Sequence, residues 1–182
     1  MRLFVAIEIE PAMRERIDEF VTDLRLKIPE ARWARPEGLH ITLKFLGNVA
    51  DERRARIEEA LGSLDQRPVS LSLRGVGAYP SPRSPRVLWV GMQSGPELER
   101  LAAAVDEQMG SVGFPREKRA FSPHVTVARF NQRPRGNVGS LLSDAQPAFG
   151  TMTANEFHLF ESKLSPQGSR YTKLASFKLD QA

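Results

Sequence analysis

The chain has 182 residues, of which 41% are hydrophobic, and it contains no cysteine. This length suits one folded domain with a substantial core, and the absence of cysteine excludes disulfides, thiolate metal sites and a cysteine nucleophile. Lysine and arginine number 26 against 22 aspartate and glutamate residues, which gives a net charge of +4. Such a balance admits an anionic ligand but is modest for a protein that coats duplex nucleic acid.

The first ten residues predict a buried strand, because their short apolar run is interrupted by Glu8 and Glu10. We expect neither a signal peptide nor a membrane helix there, since both need a longer uncharged segment. An amphipathic helix is predicted from Pro11 to a stop at Pro29, because its apolar residues recur at helical spacing.

Further elements alternate along the rest of the chain with short connections. Two more helices are predicted, one capped by Asp51 and one that runs from Pro96 to Gly110. Additional strands are predicted over residues 39–46, 69–73, 86–90, 124–127, 156–160 and 171–177. Strands and helices in this order predict an α+β fold whose sheets are largely antiparallel.

A four-residue motif occurs twice, as HITL over residues 40–43 and as HVTV over residues 124–127. Two of the three histidines of the chain stand at its first position. Because successive side chains on a strand alternate, the histidine and threonine of each copy share one face and the apolar residues share the other. The copies lie 84 positions apart (124 − 40), which predicts two similar lobes that meet across a groove.

This doubled motif suits phosphodiester hydrolysis, which needs a base for the nucleophile and an acid for the leaving oxygen near neutral pH. One neutral and one protonated histidine can divide these roles, while Thr42 and Thr126 donate hydrogen bonds to phosphate oxygens. No metal is then required, and the sequence lacks a His-x-x-x-His pattern and clustered carboxylates. A 2′,3′-cyclic phosphate suits the site well, because its strained ring supplies part of the driving force.

The stretches HITLKFLG over residues 40–47 and HVTVAR over residues 124–129 resemble the paired HxTx motifs of the two-histidine phosphoesterase superfamily. Within it, the chain is most similar to the RNA 2′,3′-cyclic phosphodiesterases, also called the LigT-like or 2′-5′ RNA ligase family. The resemblance covers essentially the whole chain, since residues 2–7, 79–83 and 168–171 also have similar counterparts in that family.

The resemblance implies a single bilobal domain over residues 1–182, with pseudo-twofold symmetry and one HxTx motif per lobe at a central cleft. It implies that His40 is the proton donor, that His124 is the proton acceptor that activates water, and that Arg129 assists phosphate binding. The implied reaction opens an RNA 2′,3′-cyclic phosphate to a 2′-phosphate without metal or cofactor. Reverse 2′-5′ RNA ligation is implied for some relatives.

The implied partner is RNA with a cyclic phosphate end, tRNA fragments included, and we expect a cytoplasmic monomer without membrane attachment. Two alternatives stay open: a related phosphoesterase that acts on a small cyclic nucleotide, and a non-catalytic RNA-binding module. Intact motif histidines and threonines argue against the second. His158 lacks a threonine two positions on, where Phe160 stands, so we expect a structural role for it.

Strict alternation places Lys44 and Ala128 on the histidine face and Phe45 and Arg129 on the core face. Arg129 therefore reaches the cleft only if its strand bends, bulges or ends nearby.

Overall fold

The computed structural model describes residues 1–142 and 146–180, so the remaining five residues of the expected 1–182 domain lie outside the described part. The helices are α1 (Pro11–Lys27), α2 (Arg54–Gly62), α3 (Pro96–Ser111) and α4 (Val138–Leu142). The strands are β1 (Arg2–Glu8), β2 (Arg32–Trp33), β3 (His40–Asn48), β4 (Val69–Tyr79), β5 (Val87–Ser94), β6 (Val125–Arg129), β7 (Ala148–Ala154), β8 (Glu156–Ser165) and β9 (Gly168–Lys178). Short 3-10 turns span Pro36–Gly38 and Asp51–Arg53.

The described strands form one antiparallel sheet, with the order β7-β4-β5-β6-β3-β1-β8-β9 and with β2 paired to part of β6. The sheet is curled into a half-barrel. Two strand–helix–strand units, β1-α1-β3 and β5-α3-β6, each lead into a motif, and β3 and β6 lie side by side in the middle of the sheet. The predicted α+β class with antiparallel pairing is confirmed.

The two faces of the sheet differ in what covers them. Helices α1 and α3 pack their apolar sides into the main core, where each fully buried aliphatic side chain contributes about 1.5–3 kcal/mol. The strand residues that share this core include Leu3, Val5, Ile7, Ile41, Leu43, Val125 and Val127. The opposite face carries the histidine and threonine of each motif, and we call it the histidine face. No helix in the described part of the chain is long and apolar enough to span a membrane.

Several features of the fold differ from the sequence-based expectations, and the short elements β2 and α4 are among the unpredicted ones. Asp51 begins a 3-10 turn and no side chain caps α2, so the predicted cap is wrong. Strand β7 was not predicted, because Gly150 interrupts its alternation. This glycine has a φ of 114°, in the left-handed region, and the pairing of β7 with β4 shifts beside it.

Candidate active site

Both motif strands carry an irregularity at the same motif position. The pairing of β3 with β1 passes over Leu43, and the pairing of β6 with β5 passes over Val127. Each of these is the fourth residue of its motif. Because a β-bulge inserts one unpaired residue, it moves the side chains that follow it, up to any further irregularity, to the other face.

The two bulges overturn the expectation from strict alternation. Lys44 and Ala128, expected on the histidine face, are buried on the core side. Phe45 and Arg129, expected in the core, are exposed, and Phe45 is 62% accessible. Arg129 therefore lies on the same face as the motif side chains. Strict alternation does not predict this, because it takes no account of the bulge.

Lys44 instead belongs to an ion-pair network on the helix side of the sheet. Its Nζ atom donates to Asp106 Oδ1 of α3 at 2.5 Å and to the Pro115 carbonyl oxygen at 2.9 Å. Asp106 also accepts from Arg116 Nε at 2.8 Å and from the Glu117 N–H at 3.0 Å. Burial alone would raise the pKa of Asp106, but these donors outweigh it and lower that pKa to about 2.

The motif histidines are held in the same way on neighbouring strands. His40 Nδ1 lies 2.7 Å from the Gly38 carbonyl oxygen, and His124 Nδ1 lies 2.9 Å from the Ser122 carbonyl oxygen. Since a carbonyl oxygen only accepts, Nδ1 carries the hydrogen in both rings. The Nε2 atom of each ring is then the one that can exchange a proton with a ligand. The two residues that follow the histidines, Ile41 and Val125, are direct cross-strand partners.

The surroundings of the two rings differ. His40 is half-buried, with the Phe4 ring 4.8 Å and the Tyr171 ring 5.1 Å from its own ring centre. Burial is the largest effect on the pKa of His40 and lowers it, against the opposing hydrogen bond to Gly38. The charges of Arg129 and His124 lower this pKa further, which places both groups within electrostatic reach of His40. His124 is exposed.

The motif threonines complete the set of polar groups on this face. Thr42 and Thr126 are half-buried, each two residues after its histidine. Within residues 1–142 and 146–180, neither hydroxyl has a hydrogen-bond partner from the protein. Both are thus available to donate to a ligand between the histidines. One face of the sheet therefore carries all five predicted site residues, Thr42, Thr126, His40, His124 and Arg129. A common site needs this arrangement.

The third histidine has the contacts of a structural residue. His158 is buried on β8, and its Nδ1 atom lies 2.9 Å from Ser176 Oγ on β9. Its Nε2 atom is 4.0 Å from Glu8, whose carboxylate also binds Lys173 Nζ at 2.8 Å. His158 and Glu8 line a cavity of about 510 Å³. The histidines and threonines of the two motifs do not line this cavity.

Sequence reasoning missed the groups that hold the histidines. The Gly38 and Ser122 carbonyls leave no sequence signal, because every residue offers one. Tyr171 covers Gly38 so closely that a Cβ atom built there would lie 3.2 Å from the tyrosine ring. Among the described residues, no three or more His, Asp and Glu side chains cluster as metal ligands do.

The family model described as LigT like Phosphoesterase matches the chain twice, over residues 7–89 and again over residues 90–171, so that each match contains one motif. The chain belongs to the LigT-like phosphoesterase family. The double match follows the repeated strand–helix–strand unit, so the LigT-like repeat is visible in both sequence and structure.

Similarity to individual LigT-like proteins extends over nearly their full lengths. The RNA 2′,3′-cyclic phosphodiesterase of Archaeoglobus fulgidus is 39% identical over 178 residues, which are 98% of this chain and 100% of that protein. That of Methanothermobacter thermautotrophicus is 31% identical over 183 residues, 98% and 99% of the two chains. Among solved structures, E. coli LigT complexed with 3′-AMP superposes with a TM-score of 0.81 at 31% identity and covers 99% of this chain and 98% of its own.

Proposed function

We propose that this protein hydrolyses RNA 2′,3′-cyclic phosphate ends to 2′-phosphates by a metal-independent mechanism that uses two histidines. The observation that carries the proposal is the pair of histidines on β3 and β6, each with Nδ1 bound to a carbonyl and with Nε2 free of any partner in the described part of the chain. Such a pair can supply one base and one acid to a single phosphate. The substrate class follows from the relatives named RNA 2′,3′-cyclic phosphodiesterase.

The histidines have opposite roles in the reaction. Neutral His124, the exposed ring, accepts a proton from water at Nε2 as the water oxygen attacks phosphorus. As the P–O3′ bond breaks, protonated His40 donates its Nε2 proton to O3′. Phosphorus gains the water oxygen and loses O3′, so the products are a 2′-phosphate and a 3′-hydroxyl. After one turnover His40 has given its proton to O3′ and His124 holds the proton of the water, and proton exchange with solvent restores the starting state.

The same chemistry accounts for ligation. When the 5′-hydroxyl of a second RNA replaces water, His124 takes the hydroxyl proton and His40 again protonates O3′. One ester bond forms and one breaks, which leaves a 2′-5′ phosphodiester. Throughout, Thr42, Thr126 and Arg129 stabilise the non-bridging oxygens of the phosphate by hydrogen bonds and charge.

The proposal is tested with oligoribonucleotides that end in a 2′,3′-cyclic phosphate, incubated with the protein in excess EDTA. We expect turnover to persist and phosphorus NMR to identify a 2′-phosphate product. A 3′-phosphate product would reverse the assigned leaving group. Loss of activity in EDTA, restored by a divalent cation, would exclude the metal-independent mechanism. Turnover of small cyclic nucleotides in preference to RNA would favour the alternative substrate, and binding without turnover would favour a binding module.

Replacing Thr42 or Thr126 by valine should lower kcat/KM roughly 5- to 150-fold. This loss corresponds to about 1–3 kcal/mol of transition-state stabilisation. Valine keeps the branched shape and removes only the hydroxyl that donates to the phosphate. Steady-state kinetics of both variants measures the effect, with Thr151→Val on the remote strand β7 as the matched control. Wild-type kinetics in both motif variants would make these threonines structural.

Binding of a phosphate ligand should raise the pKa of His40. In the free protein this pKa lies below its usual value because the ring is buried, whereas a bound anion stabilises the protonated ring. NMR titration of the His40 ring, with and without a 2′-nucleotide, measures both states, and the His158 ring is the control. Turnover by such an acid–base pair should follow a bell in pH, and its fall at high pH should reflect the loss of the His40 proton. A His40 pKa unaffected by the ligand would contradict its role as the acid at the phosphate.

A further inference from the structure

Two arginines stand directly opposite each other beside the candidate active site. Arg32 of β2 and Arg129 of β6 are cross-strand partners in an antiparallel pair, so their side chains project from the same face. Both are exposed, and neither forms an ion pair or side-chain hydrogen bond with any residue of the described ranges. Like charges in this position destabilise a sheet unless an anion lies between them.

The contacts of β2 hold the backbone positions of the two arginines opposite each other. The Ala34 N–H donates to the Val127 carbonyl oxygen at 2.9 Å, which holds β2 against β6. Trp33 packs on the main core, and its Nε1 atom donates to the Ile28 carbonyl oxygen at 3.1 Å. The neighbours of Arg32 therefore hold it at this position beside Arg129.

The arginine pair also continues the histidine face. Arg129 follows His124 and Thr126 on the same strand, and its charge acts on His40. Arg32 lies on β2, which borders β6 on the same side as β3 and beside the end of β6 that carries Arg129. A polyanion whose terminal phosphate lies between the histidines would bring its next phosphate toward this pair.

We propose that Arg32, paired with Arg129, forms a second phosphate subsite, which binds the phosphodiester on the 5′ side of the terminal nucleotide. Arg129 lies between the two phosphates, and its five N–H donors serve both of them. Two guanidinium groups suit a phosphodiester, because each donates charge-assisted hydrogen bonds to its free oxygens. Arg32 thereby determines the preference for an oligonucleotide over a mononucleotide, which lacks that phosphodiester. The inference rests on the proposed function, since it takes RNA as the substrate.

The test compares Arg32→Gln with wild type on two substrates, a mononucleoside 2′,3′-cyclic phosphate and a short oligoribonucleotide with the same terminal nucleotide. We expect kcat/KM for the oligonucleotide to fall on the order of tenfold, mainly through KM, and kcat/KM for the mononucleotide to stay unchanged. The slope of log(kcat/KM) against log salt concentration should become shallower by about 0.7–1 for the oligonucleotide. Arg100→Gln, an exposed position on α3, is the matched control and should change neither substrate.

An equal loss for both substrates, or no loss for either, would overturn the proposal, as would an unchanged salt dependence. Failure of the proposed function is recognised separately, because wild-type protein would then turn over neither substrate. In that event, fluorescence anisotropy with a labelled oligoribonucleotide ending in a 2′-phosphate still tests the subsite. Weaker binding by Arg32→Gln than by Arg100→Gln would support the arginine pair, and equal binding would reject it.

Discussion

Replacing His40 or His124 by alanine is expected to lower kcat at least about 100-fold, the lower end of what a positioned acid or base contributes. Asparagine at either position makes a sharper test, because its amide can still donate to the Gly38 or Ser122 carbonyl that now binds Nδ1. The asparagine variants thus keep a donor for this carbonyl and lose the Nε2 atom that exchanges protons. Single-turnover rates with a cyclic phosphate substrate measure the loss in the chemical step.

The third histidine supplies the control for this experiment. His158→Asn removes an imidazole of the same sheet that contacts Ser176 and Glu8 and does not belong to the motif pair. We expect its turnover to stay within a few-fold of wild type, with circular dichroism and thermal unfolding as checks on folding. A folded His40 or His124 variant with near wild-type turnover would exclude the two-histidine mechanism.

For the first three residues of each motif, the sequence predicted correctly on which face of the sheet each side chain lies. Alternation along a strand determines this. It could not predict the face of Arg129, since the bulge at Val127 depends on how β6 pairs with β5. The motif alone does not indicate that pairing, because the partner residues lie on β5, some 40 positions earlier in the chain. Repetition of the bulge at Leu43 shows that it belongs to the LigT-like repeat of this chain and not to one strand.

The difference between the two histidines was also beyond prediction. His40 and His124 stand at the same position of the repeated motif, yet among the described residues aromatic rings pack against His40 and not against His124. These rings come from Phe4 and Tyr171, at opposite ends of the chain, and they meet at His40 only because β1 lies between β3 and β8. Electrostatic asymmetry in this site is thus a property of the tertiary structure, added to a symmetric pair of motifs.

The bulge at Leu43 also accounts for the second large effect that we expect, which concerns stability. It turns Lys44 into the core side, where only 5% of its side chain is exposed and Asp106 is its counter-charge. Asp106→Asn should therefore lower the free energy of unfolding at pH 7 by about 2 kcal/mol, the value of a carboxyl pKa held near 2 instead of 3.8. Lys44→Met should lower the free energy of unfolding less than Asp106→Asn does, because Asp106 keeps its hydrogen bonds from Arg116 and Glu117.

Urea unfolding of the three proteins across pH measures this contribution. The folded-state pKa of Asp106 is lowered, so its stabilisation is present above about pH 4 and is lost as the pH falls toward about 2. The difference between wild type and Asp106→Asn should disappear over that interval. Asp18→Asn, which removes a more exposed partner of Arg25, is the control and should cost at most about 1 kcal/mol. If Asp106→Asn cost no more than this control, Lys44 would not depend on its counter-charge, and the bulge would be held by backbone pairing and apolar packing alone.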